Sequence, residues 1–195
     1  MRYSVFETAW GWVGLAGHSA RISFLVLPLP SPEAVVAEII EKTGPDLVRD
    51  QGLFVSVTEK VEGYFAGTVV EDWGIQVDFS LYPEFTRRVL QQVSCIPYGQ
   101  TRTYSDVARA VGQPGAARAV GQALKRNLCP LIIPCHRVVA RHGLGGFTAP
   151  GGVELKKRLL ELELRGREHR NSSQFQRGND GICLPTTSPR KATAR

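Results

Sequence analysis

The sequence has no apolar run approaching the roughly 18 to 20 residues that a membrane-spanning helix needs, so such a helix is excluded. Met1 to Ala20 also lacks the basic-then-apolar order of a secretory signal. A soluble intracellular protein is expected, cytoplasmic or, in a eukaryote, nuclear. Cysteine is scarce: Cys95, Cys129, Cys135 and Cys183 lie scattered through a chain of 195 residues, long enough to build its core without staples. That is not a small secreted disulfide framework, and free thiols in a reducing compartment are the simpler account. Cys129, Cys135, His136 and His142 lie close together, but no CxxC or HxxxH element spaces them as zinc ligands, so neither a metal nor another cofactor is expected. Acidic residues are missing from one region in particular. Thr86 to Arg141 holds 9 basic residues and a single acid, Asp106, whereas Met1 to Phe85 holds 5 basic and 12 acidic residues. A block this basic fits a polyanionic partner such as nucleic acid, and a solvated helical face is the bland alternative.

The first 80 residues read as a small α/β unit. Tyr3–Phe6, Gly11–Leu15 and Arg21–Leu27 are short apolar or alternating stretches separated by Gly and Ser, as strands in hairpins are. PEAVVAEIIEKTG has helical periodicity, with Ser31 as cap, Pro32 at the first position and Gly44 past the end. A second helix is expected over Gln51–Phe65 and a strand over Ile75–Ser80. No catalytic cluster assembles here, so residues 1–81 are assigned a supporting role.

After the turn near Pro83 the composition becomes basic and helical, which places a domain boundary at about Ser80 to Glu84. A helix is expected over Glu84–Val93, ended by Pro97 and Gly99. TYSDVARAVG opens with a capping box, Thr103 and Asp106, and closes at Gly112. After the QPG turn, Ala116 to Arg126 forms a second helix, giving a helix-turn-helix layout. The start of that second helix, AARAVGQA, carries small side chains around a lone Arg118, with Lys125 and Arg126 at the far end. Small residues let a backbone approach its partner closely, and the cations can meet phosphates. Side chains that read base edges are nearly absent, which suggests a sequence-indifferent contact in the minor groove. Close packing against a neighbouring helix would use the same residues.

LIIPCHRVV, Leu131 to Val139, comes next. Leu131–Ile133 reads as a buried strand that Pro134 ends, exposing Cys135 at its tip. Gly143–Gly152 is a glycine-rich loop suited to binding. Val153–Glu163 is an amphipathic helix. Residues 165–195 are polar, basic and read as disordered.

A cysteine among apolar residues is usually a core hydrophobe. Three features favour a nucleophile: the chain ends a strand at Cys135, His136 is adjacent, and Arg137 and the basic block favour an anion. Neighbours on an extended strand point to opposite faces, so Cys135 and His136 can meet only through a backbone turn or a bridging water. A histidine base needs a partner to fix its tautomer, and Glu154, Glu161 and Glu163 are the carboxylates nearest in sequence.

PCHRVV, with IPYGQTRTY, ARAVGQAL, Asn127, the GGF loop and the KKRLLELE helix, resembles the O6-alkylguanine-DNA alkyltransferases over about Tyr82 to Glu163. The resemblance implies a small amino-terminal sheet-plus-helix domain (residues 1–81), a mainly helical DNA-binding and alkyl-acceptor domain (82–164) and a tail (165–195). It implies DNA repair by one irreversible transfer of an alkyl group from O6-alkylguanine, with O4-alkylthymine a candidate second substrate, to Cys135. His136 is then the base through a water, Glu163 its orienting carboxylate, and Tyr104 the donor of a proton to the leaving guanine. Arg118 replaces the flipped-out base in the duplex. Ala116, Ala117 and Lys125 lie along the DNA, and Asn127 joins the recognition helix to the active-site strand. Pro130, Phe147 and Thr148 line the pocket, with backbone groups of Cys135 and Val138 holding the base. The implied partner is double-stranded DNA containing alkylated bases, met by a monomer.

The sequence departs from that family in places. Phe147 stands where tyrosine is common, and the loop is shorter before it and carries an added Ala149–Pro150, which unsettles Thr148 as the donor near O6. Leu128 and Cys129 replace a proline-containing pair, making Cys129 a candidate second thiol near the pocket. Some relatives bind zinc in the amino-terminal domain, but no cysteine precedes Cys95 here and only His18 lies in that region. Competing readings are a binding-only relative, which would lack the acceptor cysteine, a helix-turn-helix regulator, and a cysteine hydrolase.

Overall fold

The structure is a computed structural model that describes residues 1–18 and 21–173. Three strands, β1 (Arg2–Thr8), β2 (Gly11–His18) and β3 (Arg21–Leu29), form an antiparallel meander. Two short parallel strands, β4 (Val48–Arg49) and β5 (Gln76–Val77), flank it to give the order β4-β1-β2-β3-β5. The two faces of this sheet are buried against different partners, as the alternation of side chains requires. Val5, Ala16, Phe24 and Val26 face helix α1 (Pro32–Thr43) through Val35 and Ile39. Val13, Leu15, Ile22, Leu25 and Leu27 face the remainder of the protein. The cap of α1 is as expected, with Ser31 Oγ accepting from Ala34 N at 3.2 Å and Gly44 at φ 86°.

Helix α2 (Val55–Phe65) begins later than expected, because Phe54 adopts a left-handed φ of 61° immediately before it. The expected strand over Ile75–Ser80 shrinks to β5. Asp78 Oδ1 accepts from Ser80 N at 3.1 Å, and this local side-chain bond turns the chain into a 3-10 turn, Phe79–Leu81. Beyond Pro83 come α3 (Glu84–Ser94), β6 (Arg102–Thr103), α4 (Tyr104–Ala110) and α5 (Ala117–Leu124). The capping box holds: Asp106 N donates to Thr103 Oγ1 at 3.1 Å, and Thr103 N to Asp106 Oδ2 at 2.8 Å. Gly112 sits at φ 72° as the first helix of the pair ends. The second is shorter than expected at both ends.

The last helix, α6 (Gly152–Ser173), runs ten residues past the expected end at Glu163, so the first part of the supposed tail is ordered. The cause is packing that continues past Glu163. Gly166 fits against Tyr98, Arg167 Nη1 donates to Gly99 O at 3.3 Å, and Arg170 pairs with Glu71. The remainder of that expected tail, with Cys183, lies outside the described residues. One continuous buried cluster runs from the sheet through α2 to α3, α4, α5 and α6, crossing the boundary near Tyr82. Among the described residues no helix is long and apolar enough to cross a membrane.

Candidate active site

Leu131–Ile133 is buried, as expected, but it is not a strand. Leu131 takes a left-handed φ of 69°, and Ile133 N donates to Cys129 O at 2.9 Å. Asn127 satisfies the polar groups that a strand neighbour would otherwise take: its Nδ2 donates to Ile133 O at 2.9 Å and its Oδ1 accepts from Cys129 N at 3.0 Å. Cys135–Arg137 then forms a single 3-10 turn, which feeds β7 (Val138–Val139), paired in parallel with β6. That turn is how the adjacent Cys135 and His136 avoid the opposed directions of an extended strand. The two side chains share no hydrogen bond: His136 Nδ1 is buried and makes none to the protein.

Cys135 is 9% exposed and borders a cavity of about 740 Å³ between the α1–β3 edge and the carboxy-terminal region. Of the residues expected in a substrate pocket, Asn127, Pro130, Phe147 and Thr148 line it, together with Lys125, whereas Val138 does not: it is fully buried in β7, its N–H donating to Cys135 O and its carbonyl accepting from Lys156 Nζ. Its opposite wall includes Phe24, Leu25 and Leu27, with Glu38 and Glu41 of α1, residues that sequence patterns alone assigned only to the supporting unit. Cys129 is fully buried and is not among the lining residues, so the candidate second thiol is a core residue.

Behind the thiol lies a buried relay. His136 Nε2 is 2.8 Å from Glu163 Oε1, both groups being almost wholly enclosed, which selects Glu163 from the three carboxylates considered. Arg137 was expected to favour an anion at the thiol. Instead it grips Glu163, with Nε at 2.9 Å from Oε2 and Nη2 at 2.8 Å from Oε1, while Nη1 donates to Ile96 O at 2.6 Å. Gly99 N donates to Oε2 at 3.0 Å. Burial pushes the Glu163 carboxyl up, but hydrogen bonds and charge from His136 and Arg137 outweigh it and hold it at about 2. Burial also lowers His136 below its ordinary value against the pull of Glu163, so the imidazole is neutral near pH 7. An ionised carboxylate can only accept, so the imidazole proton sits on Nε2 and the lone pair on Nδ1.

The cation that does face the thiol is Lys156, fully buried on α6, whose Nζ donates to Val138 O at 2.6 Å and Gly146 O at 3.3 Å. Desolvation lowers its ammonium to about 8. Burial raises the Cys135 thiol above its ordinary value, opposed by the Asn127 side chain, Lys156 and the backbone N–H groups of Cys135 and His136. The resting thiol is therefore protonated, and a thiolate has stabilising donors already in place. Tyr104, at the start of α4, directs its hydroxyl to Gly146 O at 3.4 Å, and its ring packs on Gly145 and Gly121.

Arg118 and Lys125 are exposed on or beside α5, and Ala116 and Ala117 are partly so. The buried face of that helix is Val120, Ala123 and Leu124, so its small outward residues are not all spent on packing. Two site residues escaped sequence reasoning besides the altered role of Arg137. Lys156, Leu159 and Glu163 share one face of α6, and that spacing was a usable signal for Lys156. Tyr64 of α2 donates to Glu163 Oε1 at 2.8 Å, and no pattern in its own helix foretells this.

Residues 84–165 match the family described as 6-O-methylguanine DNA methyltransferase, DNA binding domain. A methylated-DNA–protein-cysteine methyltransferase of Archaeoglobus fulgidus is 50% identical over 109 residues, 53% of this chain and 71% of the relative. Its counterpart in Mycobacterium leprae is 39% identical over 150 residues, 76% of this chain and 84% of the relative. The crystal structure of Mycobacterium tuberculosis OGT in complex with DNA superposes with a TM-score of 0.72 at 33% identity, covering 85% of this chain and 94% of that one. Identity at this level over most of a relative's length, joined to the same fold, makes the chain a member of the O6-alkylguanine-DNA alkyltransferases, the methylated-DNA–protein-cysteine methyltransferases.

Proposed function

We propose that the protein repairs DNA by moving an alkyl group, such as methyl, from O6 of guanine to Sγ of its own Cys135, once per molecule, with O4-alkylthymine as a candidate second substrate. The observation that carries this reading is a thiol at a cavity, backed by an imidazole whose Nδ1 lone pair is unused and whose Nε2 proton is held by Glu163.

The chemistry balances without a cofactor. The Cys135 proton passes through a water to His136 Nδ1, and the imidazolium charge is stabilised by Glu163. The thiolate, held by Asn127, Lys156 and the turn's N–H groups, attacks the alkyl carbon in line. The S–C bond forms, the C–O6 bond breaks, and its electron pair goes to guanine. Tyr104, kept protonated by burial, supplies the proton that neutralises the departing ring, and the proton that His136 took from Cys135 replaces it, so that imidazole and phenol both end neutral. A thioether has no easy reverse path, so the protein is consumed. Pro130, Phe147 and Thr148 enclose the base, with backbone groups of Cys135 as its partners.

Arg118 fills the gap left by the extruded nucleotide, while Ala116, Ala117 and Lys125 follow the minor groove and backbone. In this reading residues 82–164 bind DNA and accept the alkyl group and residues 1–81 support them. The protein acts as a monomer wherever its DNA resides, in cytoplasm or nucleus. The test is to incubate the protein with duplex DNA carrying radiolabelled O6-methylguanine and map the labelled peptide. One equivalent on Cys135 is expected. Label remaining on DNA, or landing on Cys129, contradicts the reading.

A further inference from the structure

Glu163 accepts from four residues. Three of them, His136, Arg137 and Gly99, come from the carboxy-terminal region, and the fourth is Tyr64, from α2 on the other side of the boundary. The Tyr64 hydroxyl lies 2.8 Å from the same oxygen, Oε1, that His136 Nε2 uses, and 3.5 Å from Nε2 itself. It is fixed there by a fully buried ring packed against Phe65, Trp73 and Tyr98, with centroids 5.4, 5.9 and 6.0 Å away.

We infer that Tyr64 is a positioning residue for alkyl transfer: by sharing Oε1 of Glu163 with His136, its hydroxyl limits how strongly that carboxylate draws on the imidazole. Donors that converge on one oxygen divide its negative charge, so each is held less tightly than it would be alone. The groups facing His136 are Tyr64 from α2, Arg137 from its own turn, and Lys156 and Glu163 from α6, with Tyr98 reaching it through Glu163. Of these, Tyr64 is a neutral donor whose hydroxyl can be removed while its ring is kept. Without it, Glu163 would hold the Nε2 proton more tightly and stabilise the imidazolium more. The base would then become protonated at a higher pH and fail there. The amino-terminal region would thus tune the reaction as well as support the fold.

The inference rests on His136 being the base, and the test separates the two. Wild type and Tyr64→Phe are compared by NMR of the His136 ring nitrogens and by single-turnover transfer rates across pH. The variant is expected to move the Nε2–H proton downfield and to raise the His136 titration midpoint by on the order of half a pH unit. The acid limb of the rate profile should shift upward by the same amount, with rates well above the limb within about twofold of wild type. A raised midpoint with an unmoved rate limb keeps the role of Tyr64 in holding Glu163 and overturns His136 as base. Unchanged His136 resonances and midpoint, even beside a lowered melting temperature, overturn the inference and leave Tyr64 as packing alone.

Discussion

The relay behind Cys135 and the outer face of α5 divide the proposed work in opposite physical ways. His136, Glu163, Arg137, Tyr64 and Lys156 are enclosed, and each depends on named partners at hydrogen-bond distance. Arg118 and Lys125 are exposed side chains on small-residue surroundings, positioned to meet something outside the protein. Enclosure makes the charged pair of the relay intolerant, because removing Glu163 or Arg137 strands the other charge in a low-dielectric site, whereas Glu163 keeps three other donor residues when the neutral Tyr64 hydroxyl is lost. Exposure makes the helix face tolerant for folding, so changes there should register only when DNA is present.

The largest expected effect is Cys135→Ser, which should abolish transfer to both duplex DNA and free O6-alkylguanine base while leaving DNA binding measurable in a gel-shift assay. His136→Ala should follow, slowing transfer by about 10² to 10⁴-fold on both substrates in single-turnover kinetics. Glu163→Gln should slow transfer and also cost stability, about 3 to 5 kcal/mol at neutral pH in denaturant titrations, because Arg137 loses its buried counter-charge. The sign with pH is fixed by the lowered carboxyl. Glu163 lies at about 2 against an ordinary 4.5, so its stabilising contribution is complete above about 4.5 and is lost as pH falls towards 2. The gap between wild type and Glu163→Gln should close over that window. Arg118→Ala should slow transfer from duplex DNA by about a hundredfold, the scale of a few kcal/mol of unstacking, and leave the free base untouched. Smallest is Lys125→Ala, expected to reduce the salt slope of DNA binding by about one unit.

The same contrast governs how much could be read without coordinates. Local signals held where the chain decides its own structure. Ser31, Gly44, the Thr103–Asp106 box and the turn after α4 all lie where capping chemistry put them. The helix-turn-helix layout and the place of Cys135 at a cavity were legible because a capping box, a glycine turn and a proline-terminated thiol are local patterns. What failed was non-local. Leu131–Ile133 looked like a strand because buried strands and buried turns share a composition, and only the Asn127 side chain distinguishes them. Arg137 reads in sequence as a cation for the thiol, but a carboxylate from α6 claims it. The end of α6 lies later than its sequence indicates because contacts to Tyr98, Gly99 and Glu71 hold a polar segment in helix. Tyr64, ninety-nine positions from Glu163, is the limiting case.

The most direct measurement sets the relay and the helix face side by side: single-turnover transfer to Cys135 by His136→Ala and Arg118→Ala, each with duplex DNA and with the free modified base. The account predicts that the His136 variant loses rate equally on both substrates and that the Arg118 variant loses it on the duplex alone. An Arg118 variant equally impaired on the free base, or a His136 variant impaired only on the duplex, would contradict the division of labour between buried chemistry and exposed recognition.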